Sequence, residues 1–163
     1  MLIVKKFGGS SVADKEKIMN VARRCIEDYE KGNDVVIVLS AMGKTTDGLL
    51  SKAYDINYNP PKRELDMLLV TGEQVSVALM AMAMHALGAP AISLNAAQVG
   101  MYTTSAYTKA KLKKIDTNRI RHELDARKIV IVTGFQGINR YDDMTTLGRG
   151  GSDTTAVAIA AAL

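Results

Sequence analysis

The sequence predicts a doubly wound α/β sandwich, in which helices cover both faces of a mainly parallel sheet. Residues 34–40 (DVVIVLS) and 128–133 (KIVIVT) are runs of β-branched residues and Leu without polar alternation, as in strands that are buried on both faces. Segments with the apolar spacing of helices lie between such runs. Strands that alternate with helices favour parallel pairing through crossover connections.

The amino-terminal third predicts one complete βαβ unit. Residues 2–7 form the first predicted strand, which ends at a glycine pair. Residues 15–31 carry apolar side chains at helical spacing, with Asp14 as a candidate N-cap and Gly32 just past the end. The buried strand at 34–40 completes the unit.

The middle of the chain predicts mainly helix. Helices are expected at 46–54 and 62–69, on either side of a break at 57–61 that contains two prolines. Residues 70–72 (VTG) predict a turn, and residues 73–87 predict a long buried helix. The apolar run within it is interrupted and too short to span a bilayer, so no membrane association is expected.

The last part of the chain repeats the alternation. The predicted elements are a strand at 90–94, a loop with some strand at 95–108, a helix at 116–127, the buried strand at 128–133, and a helix that starts at Ser152-Asp153 and continues into the Ala-rich segment 154–163.

Composition limits the functional class. The 163 residues suffice for one domain with a core, 47% of them are apolar, and the net charge of +4 would suit anionic small molecules as well as nucleic acid. Aromatic side chains are not arranged for stacking on RNA, so no nucleic acid partner is expected. The single cysteine, Cys25, excludes an internal disulfide, and no signal peptide pattern is present. These features predict a cytoplasmic protein.

Common catalytic motifs are absent. Gly43-Lys44-Thr45 resembles the end of a P-loop, but Val38 stands where that motif needs glycine. Gly148 and Gly150 would need a third glycine at Asp153 to form a dinucleotide fingerprint. The two histidines stand alone and Cys25 has no adjacent base, so no metal site and no thiol nucleophile are predicted.

Residues 145–153 (TTLGRGGSD) predict an anion site. Glycines let the backbone approach a ligand closely, and the first amides of the following helix have no partners within the helix. Further glycine-bearing turns follow three of the predicted strands, at Gly8-Gly9, 40–43 and 134–137. Ligands of such sheets bind beyond the carboxyl ends of the strands, so we expect these turns to meet the anion site at one edge.

Five segments, in order, resemble motifs of the aspartokinases, a branch of the amino acid kinase family. They are residues 6–12 (KFGGSSV), 39–47 (LSAMGKTTD), 69–74 (LVTGEQ), 134–137 (GFQG) and 145–155 (TTLGRGGSDTT). The resemblance implies a three-layer α/β/α sandwich with a mainly parallel sheet. It also implies that a complete member continues beyond Leu163, with a second half that carries most of the ATP pocket and then ACT regulatory domains.

The implied activity is ATP-dependent phosphorylation of the β-carboxylate of L-aspartate, the entry to Lys, Thr and Met synthesis, with Mg²⁺ carried by the nucleotide. By resemblance, the catalytic residues are Lys6 and Asp153. The substrate-binding residues implied in the same way are Ser40, Thr46, Glu73, Phe135, Arg149 and Ser152. The phosphate-binding residues implied are Lys6, Phe7, Gly8, Gly9, Gly150 and Gly151.

Six of these side chains also have a purely structural interpretation. Lys6 could be a solvated lysine at a strand end, and Arg149 could belong to a surface ion pair. Glu73 could be a carboxylate at a helix N-terminus, where the helix dipole favours negative charge.

Three more of the polar side chains have a structural interpretation beside the functional one. Ser40 could stabilise a turn at a strand end, Ser152 could be an N-cap, and Asp153 could be a first-turn aspartate. We expect residues 1–163 to be inactive alone and the complete enzyme to be a homo-oligomer. A non-catalytic module for amino acid binding or assembly is the alternative.

Overall fold

A computed structural model describes all 163 residues. The elements in chain order are β1 (Leu2–Phe7), a 3-10 helix (Gly9–Val12), α1 (Lys15–Glu30), β2 (Asp34–Leu39), α2 (Thr45–Ile56), α3 (Lys62–Ala86), β3 (Ala91–Leu94), α4 (Ala96–Val99), β4 (Met101–Thr103), β5 (Leu112–Ile115), α5 (Asn118–Asp125), β6 (Ile129–Thr133), β7 (Gln136–Ile138), β8 (Met144–Thr146) and α6 (Gly151–Ala162).

The central sheet has the strand order β1-β2-β6-β3, and all of its neighbouring strands are parallel. β6 therefore lies between β2 and β3, although it comes after both in the chain. All five residues of β6 are buried, as are five of the six in β2. The two runs of β-branched residues are thus the interior strands, as predicted from their lack of polar alternation.

Helices cover the sheet on both faces. On one face, Val35, Ile37 and Leu39 pack with apolar side chains of α1 and α3. On the other face, Val36 and Val38 pack with side chains of α4, α5 and α6. Alternate residues of a strand point to opposite faces, so β2 contributes to both layers of the core. The three-layer α/β/α sandwich is confirmed.

The predicted turn at 70–72 is wrong, because α3 runs through it as one helix of 25 residues. Glycine inside a helix costs about 0.5–1 kcal/mol relative to alanine. Here it is explained by packing, since a Cβ on Gly72 would lie 3.0 Å from the Cβ of Ala41. α3 is long and apolar enough to cross a membrane by length and composition, but it packs against α1 and the central sheet.

A second, smaller sheet has the order β5-β4-β7-β8 and joins parallel and antiparallel pairs. Within the predicted loop at 95–108 lie α4, β4 and the start of the connection to β5. β5, β7 and β8 were not predicted, because strands of three or four residues are too short to show a period of two. α6 begins at Gly151, directly before the Ser152-Asp153 pair at which a helix start was expected.

Candidate functional site

An open pocket of about 500 Å³ lies at the carboxyl end of the central sheet. The loops that follow β1, β2 and β6 border it, together with residues 147–150 and the start of α6. Of the site residues predicted from the sequence, those that line it are Lys6, Gly9, Ser40, Thr46, Glu73, Phe135, Arg149, Gly150, Gly151, Ser152 and Asp153. The glycine-bearing turns therefore lie beside the predicted anion site at one edge of the sheet, as expected.

The loops after β1 and β2 are packed backbone to backbone. A Cβ on Gly9 would lie 2.6 Å from the carbonyl oxygen of Ala41, a distance that only glycine permits. The N–H of Gly43 donates to the carbonyl of Gly9 at 2.9 Å. The N–H groups of Gly8 and Gly9 have no acceptor within the chain, so they are available to an anionic ligand.

The loop after β6 touches the start of α6. A Cβ on Gly134 would lie 2.6 Å from Ser152 Oγ, so the serine occupies the space that a side chain would need. Ser40 Oγ donates to Ser152 Oγ at 3.0 Å. This contact connects the end of β2 with α6, and both hydroxyls line the pocket.

Phe135 connects β6 with β7 and has a left-handed backbone conformation, with φ +74°. Its N–H donates to Thr155 Oγ1 at 3.1 Å, and its carbonyl accepts from the N–H of Leu147 at 2.8 Å. A Cβ on Gly151 would lie 2.7 Å from the Phe135 ring. Contacts with Leu147, in the predicted anion site, and with α6 therefore hold this strained conformation.

The amino-terminal end of α6 presents free backbone donors. Its N-cap is Gly150, with φ +72°, so the interpretation of Ser152 as the N-cap is wrong. The first helical bond runs from Thr154 N–H to the Gly150 carbonyl, at 2.9 Å. The N–H groups of Gly151 and of the next two residues are left without acceptors and favour an anion in the pocket.

The cationic side chains of the pocket differ in their pairing. Lys6 Nζ lies 3.1 Å from Asp153 Oδ1, in a pair whose side chains are 31% and 69% exposed. Such an exposed pair contributes little stability and leaves the ammonium group accessible. Arg149 is exposed and makes no hydrogen bond or ion pair within the chain, so the surface ion pair considered for it does not occur.

Glu73 lies in the middle of α3 and is only 3% exposed. Its interpretation as a carboxylate at a helix N-terminus is therefore wrong. Burial raises the pKa of Glu73 to about 7, and a hydrogen bond from Gln136 Nε2, at 3.4 Å, opposes that rise. The pocket thus has a buried carboxyl group that changes charge near neutral pH.

The side chain of Asp66 joins two segments beside the pocket, at Thr108 and Thr146. Asp66 was not predicted from the sequence. The buried carboxylate accepts from Thr108 N–H at 2.9 Å, from Thr146 N–H at 3.0 Å and from Thr146 Oγ1 at 2.6 Å. Thr108 lines the pocket with a φ of +68°. Thr108 also escaped prediction, because the bond that positions it joins residues 42 apart in the chain.

Two predicted site residues do not line the pocket. Phe7 packs its side chain against the core, and its carbonyl accepts from Ser40 N–H at 3.2 Å. A Cβ on Gly8 would lie 3.6 Å from Lys6 Nζ. Phe7 therefore supports the pocket from the core side, whereas Gly8 lies beside the pocket residue Lys6. The structure has no group of three or more His, Cys, Asp or Glu side chains that could hold a metal ion.

Comparisons with known proteins agree over the whole chain. A family model described as the amino acid kinase family matches residues 1–163. An aspartokinase of Geobacillus stearothermophilus is 58% identical over 162 residues, which are 99% of this chain and 40% of that protein. The chain therefore spans about 40% of the length of this relative.

Solved structures give the same result for the fold. The crystal structure of aspartate kinase from Synechocystis is 48% identical, with a TM-score of 0.86 over 99% of this chain and 26% of that one. E. coli aspartokinase III in complex with aspartate and ADP has a TM-score of 0.85 over 98% of this chain and 46% of that one. At 22% identity, the second likeness concerns the fold alone.

Proposed function

Because this chain belongs to the amino acid kinase family, we propose that it supplies the substrate-binding part of an aspartate kinase. That enzyme would transfer the γ-phosphoryl group of ATP to the β-carboxylate of L-aspartate, the first step towards Lys, Thr and Met. The observation that carries the proposal is a single pocket in which the buried Glu73 and the unpaired Arg149 accompany Lys6 and free backbone donors.

Opposite charges at the pocket wall suit an amino acid substrate. Ionised Glu73 would pair with the α-ammonium group. Arg149 would hold a carboxylate with its planar guanidinium group, and each charge-assisted bond would contribute about 1.5–3 kcal/mol. The hydroxyls of Ser40, Thr46 and Ser152 lie on the same pocket and would orient the bound amino acid.

The reaction needs no general base, because the β-carboxylate of aspartate is already ionised at neutral pH. A carboxylate oxygen would form a bond to the γ-phosphorus, and the bond between that phosphorus and the β–γ bridging oxygen would break to release ADP. Catalysis then depends on position and on neutralising phosphoryl charge. Lys6, the free N–H groups of Gly8 and Gly9, and the amino-terminal end of α6 would supply this neutralisation.

Asp153 is the exposed carboxylate of the pocket and already contacts Lys6. It would keep the lysine oriented and contact the Mg²⁺ that the nucleotide phosphates bring with them. When bound, Mg²⁺ neutralises negative charge on the phosphates.

The buried and unbridged Cys25 is compatible with a reducing cytoplasm.

Isothermal titration calorimetry with L-aspartate tests the amino acid site. Arg149→Ala should weaken binding at least about ten-fold, because the loss of one charge-assisted bond costs about 1.5–3 kcal/mol. Arg23→Ala is the matched control, since Arg23 is exposed on α1, outside the pocket. Equal affinities for the wild type and Arg149→Ala would refute the assigned site.

A non-catalytic amino-acid-binding module is the second candidate. It is favoured because Glu73 and Arg149, the two groups proposed to bind the amino acid, both line the pocket of a chain that spans 40% of its relative's length. Measurement of ADP release with and without L-aspartate tests the module. Aspartate-dependent release would exclude the module and refute the expectation that residues 1–163 are inactive alone, whereas binding without release is expected of both the module and the substrate-binding part of a kinase.

A further inference from the structure

Gln136, the first residue of β7, connects the second sheet with the buried carboxyl group of the pocket. Its side chain is fully buried and does not line the pocket. The Nε2 group donates to the carbonyl oxygen of Val70 at 3.0 Å and to Glu73 Oε2 at 3.4 Å. One amide therefore bridges two positions that lie one turn apart on α3.

The amide of Gln136 has only one reasonable orientation. If its nitrogen and oxygen were exchanged, the amide oxygen would face the Val70 carbonyl, which can only accept, and the ionised form of Glu73, which also can only accept. In the orientation observed, Oε1 is buried and has no partner. The Nε2 group is therefore the part of the amide that faces Glu73.

We propose that Gln136 is a positioning residue, which holds the Glu73 carboxylate in one orientation at the pocket wall and favours its ionised form. Only the ionised form attracts a cationic group of a ligand. The identification of that group as the α-ammonium of L-aspartate rests on the proposed function. Gln136 itself touches no ligand, because its side chain lies outside the pocket.

The other charged groups near Glu73 make no hydrogen bond with the Gln136 side chain. The pocket contains Lys6 from β1 and Asp153 from α6, which pair with each other, and Arg149 from the loop before α6. Asp66 lies two turns earlier on α3 and is bonded to Thr108 and Thr146. Burial is the main cause of the raised pKa of Glu73, and the Gln136 bond opposes it.

The test is the titration of Glu73 followed by ¹³C NMR of its carboxyl carbon, without ligand. Gln136→Met removes the donor and keeps an unbranched side chain of similar size, and Gln136→Leu serves as a second variant. Thr133→Val is the matched control, because the Thr133 hydroxyl is buried without a partner and valine has the same shape. Glu73→Gln identifies the resonance.

The midpoint of the Glu73 titration should rise in Gln136→Met and stay unchanged in Thr133→Val. Affinity for L-aspartate should then fall in a pH-dependent way. A midpoint raised from about 7 by about 0.7 weakens binding about five-fold at pH 6 but less than about 1.5-fold at pH 8.5, following the fraction of ionised Glu73.

An unchanged Glu73 midpoint in both Gln136 variants would overturn the inference. A loss of affinity that is equal at pH 6 and pH 8.5 would also overturn it, because that result indicates a packing role alone. If the midpoint rises in Gln136→Met but the wild type does not bind L-aspartate, the effect of Gln136 on Glu73 is supported and the proposed substrate is refuted.

Discussion

Replacing Gly134 with alanine tests whether the pocket depends on the close contact between the loop after β6 and α6. The new Cβ would lie 2.6 Å from Ser152 Oγ, 2.8 Å from its Cβ and 3.1 Å from its Cα. Carbon atoms in contact are normally about 3.5–4.0 Å apart. Because one of the crowded atoms is backbone, a new rotamer of Ser152 cannot relieve the overlap, and the start of α6 must move by roughly 0.5 Å.

The expected loss of stability has two parts. Overpacking in a well-packed region costs about 1–3 kcal/mol. Displacement of Ser152 also breaks its hydrogen bond with Ser40, which is 3.0 Å long, at a further cost of about 0.5–1.5 kcal/mol. The sum of about 1.5–4.5 kcal/mol corresponds to a fall in Tm of about 3–18 °C for a domain of this size.

Thermal unfolding followed by circular dichroism measures the stability, and calorimetry with L-aspartate measures the pocket. Gly48→Ala is the control, because Gly48 lies within α2 and a Cβ there would meet nothing within 4 Å. The control should gain about 0.5–1 kcal/mol and keep its affinity. A Gly134→Ala protein with the Tm and affinity of the wild type would refute the role of this contact.

Three further experiments concern buried side chains. The pKa of Glu73 is about 7 in the folded protein and about 4.3 when unfolded, so its contribution to stability is complete below about pH 4.3 and is lost as the pH rises through 7. The free energy of unfolding of Glu73→Gln, relative to that of the wild type, should therefore be about 3 kcal/mol higher at pH 8 than at pH 4, as measured by urea unfolding. A difference between the two proteins that is independent of pH would contradict this. Asp66→Ala should lose about 3–5 kcal/mol, because three donors lose their acceptor. Asp66→Asn should lose only about 1 kcal/mol, because its amide oxygen can accept both N–H groups while its nitrogen donates to the Thr146 hydroxyl. Equal losses in the two Asp66 variants would contradict this assignment of the bonds. Burial raises the pKa of Cys25 to about 11, so its thiol should react with a thiol reagent such as DTNB only after denaturant is added; rapid reaction of the native protein would contradict its burial.

The sequence predicted the elements whose environment is uniform along their length. In β2 and β6, which are buried on both faces, every position is apolar except Asp34 and Thr133 at the strand ends. α1 is amphipathic and has a capping side chain, since Asp14 accepts from Lys17 N–H at 2.9 Å. Prediction failed where a distant contact overrides the local pattern. Gly72 suggested a turn, but the requirement it meets is the proximity of Ala41, a residue in another loop.

The same distinction holds for the pocket. Its glycines and charged residues were predicted because they cluster in short motifs. Asp66, Thr108 and Gln136 were not, because each contributes through hydrogen bonds to residues far away in the chain. No local signal marked Asp66, because it follows the charged residues Lys62, Arg63 and Glu64 in the first turns of α3.

The strand order also has a consequence for synthesis of the protein on the ribosome. β2 is made early, but its neighbour β6 follows about 90 residues later. At about 5–20 residues per second, one edge of β2 therefore lacks its native partner for roughly 5–18 s. β3 emerges during that interval and cannot occupy the place of β6 without excluding it from the sheet. A nascent chain of this protein should therefore be most sensitive to aggregation, and to chaperones that bind exposed apolar strands, until β6 has left the exit tunnel.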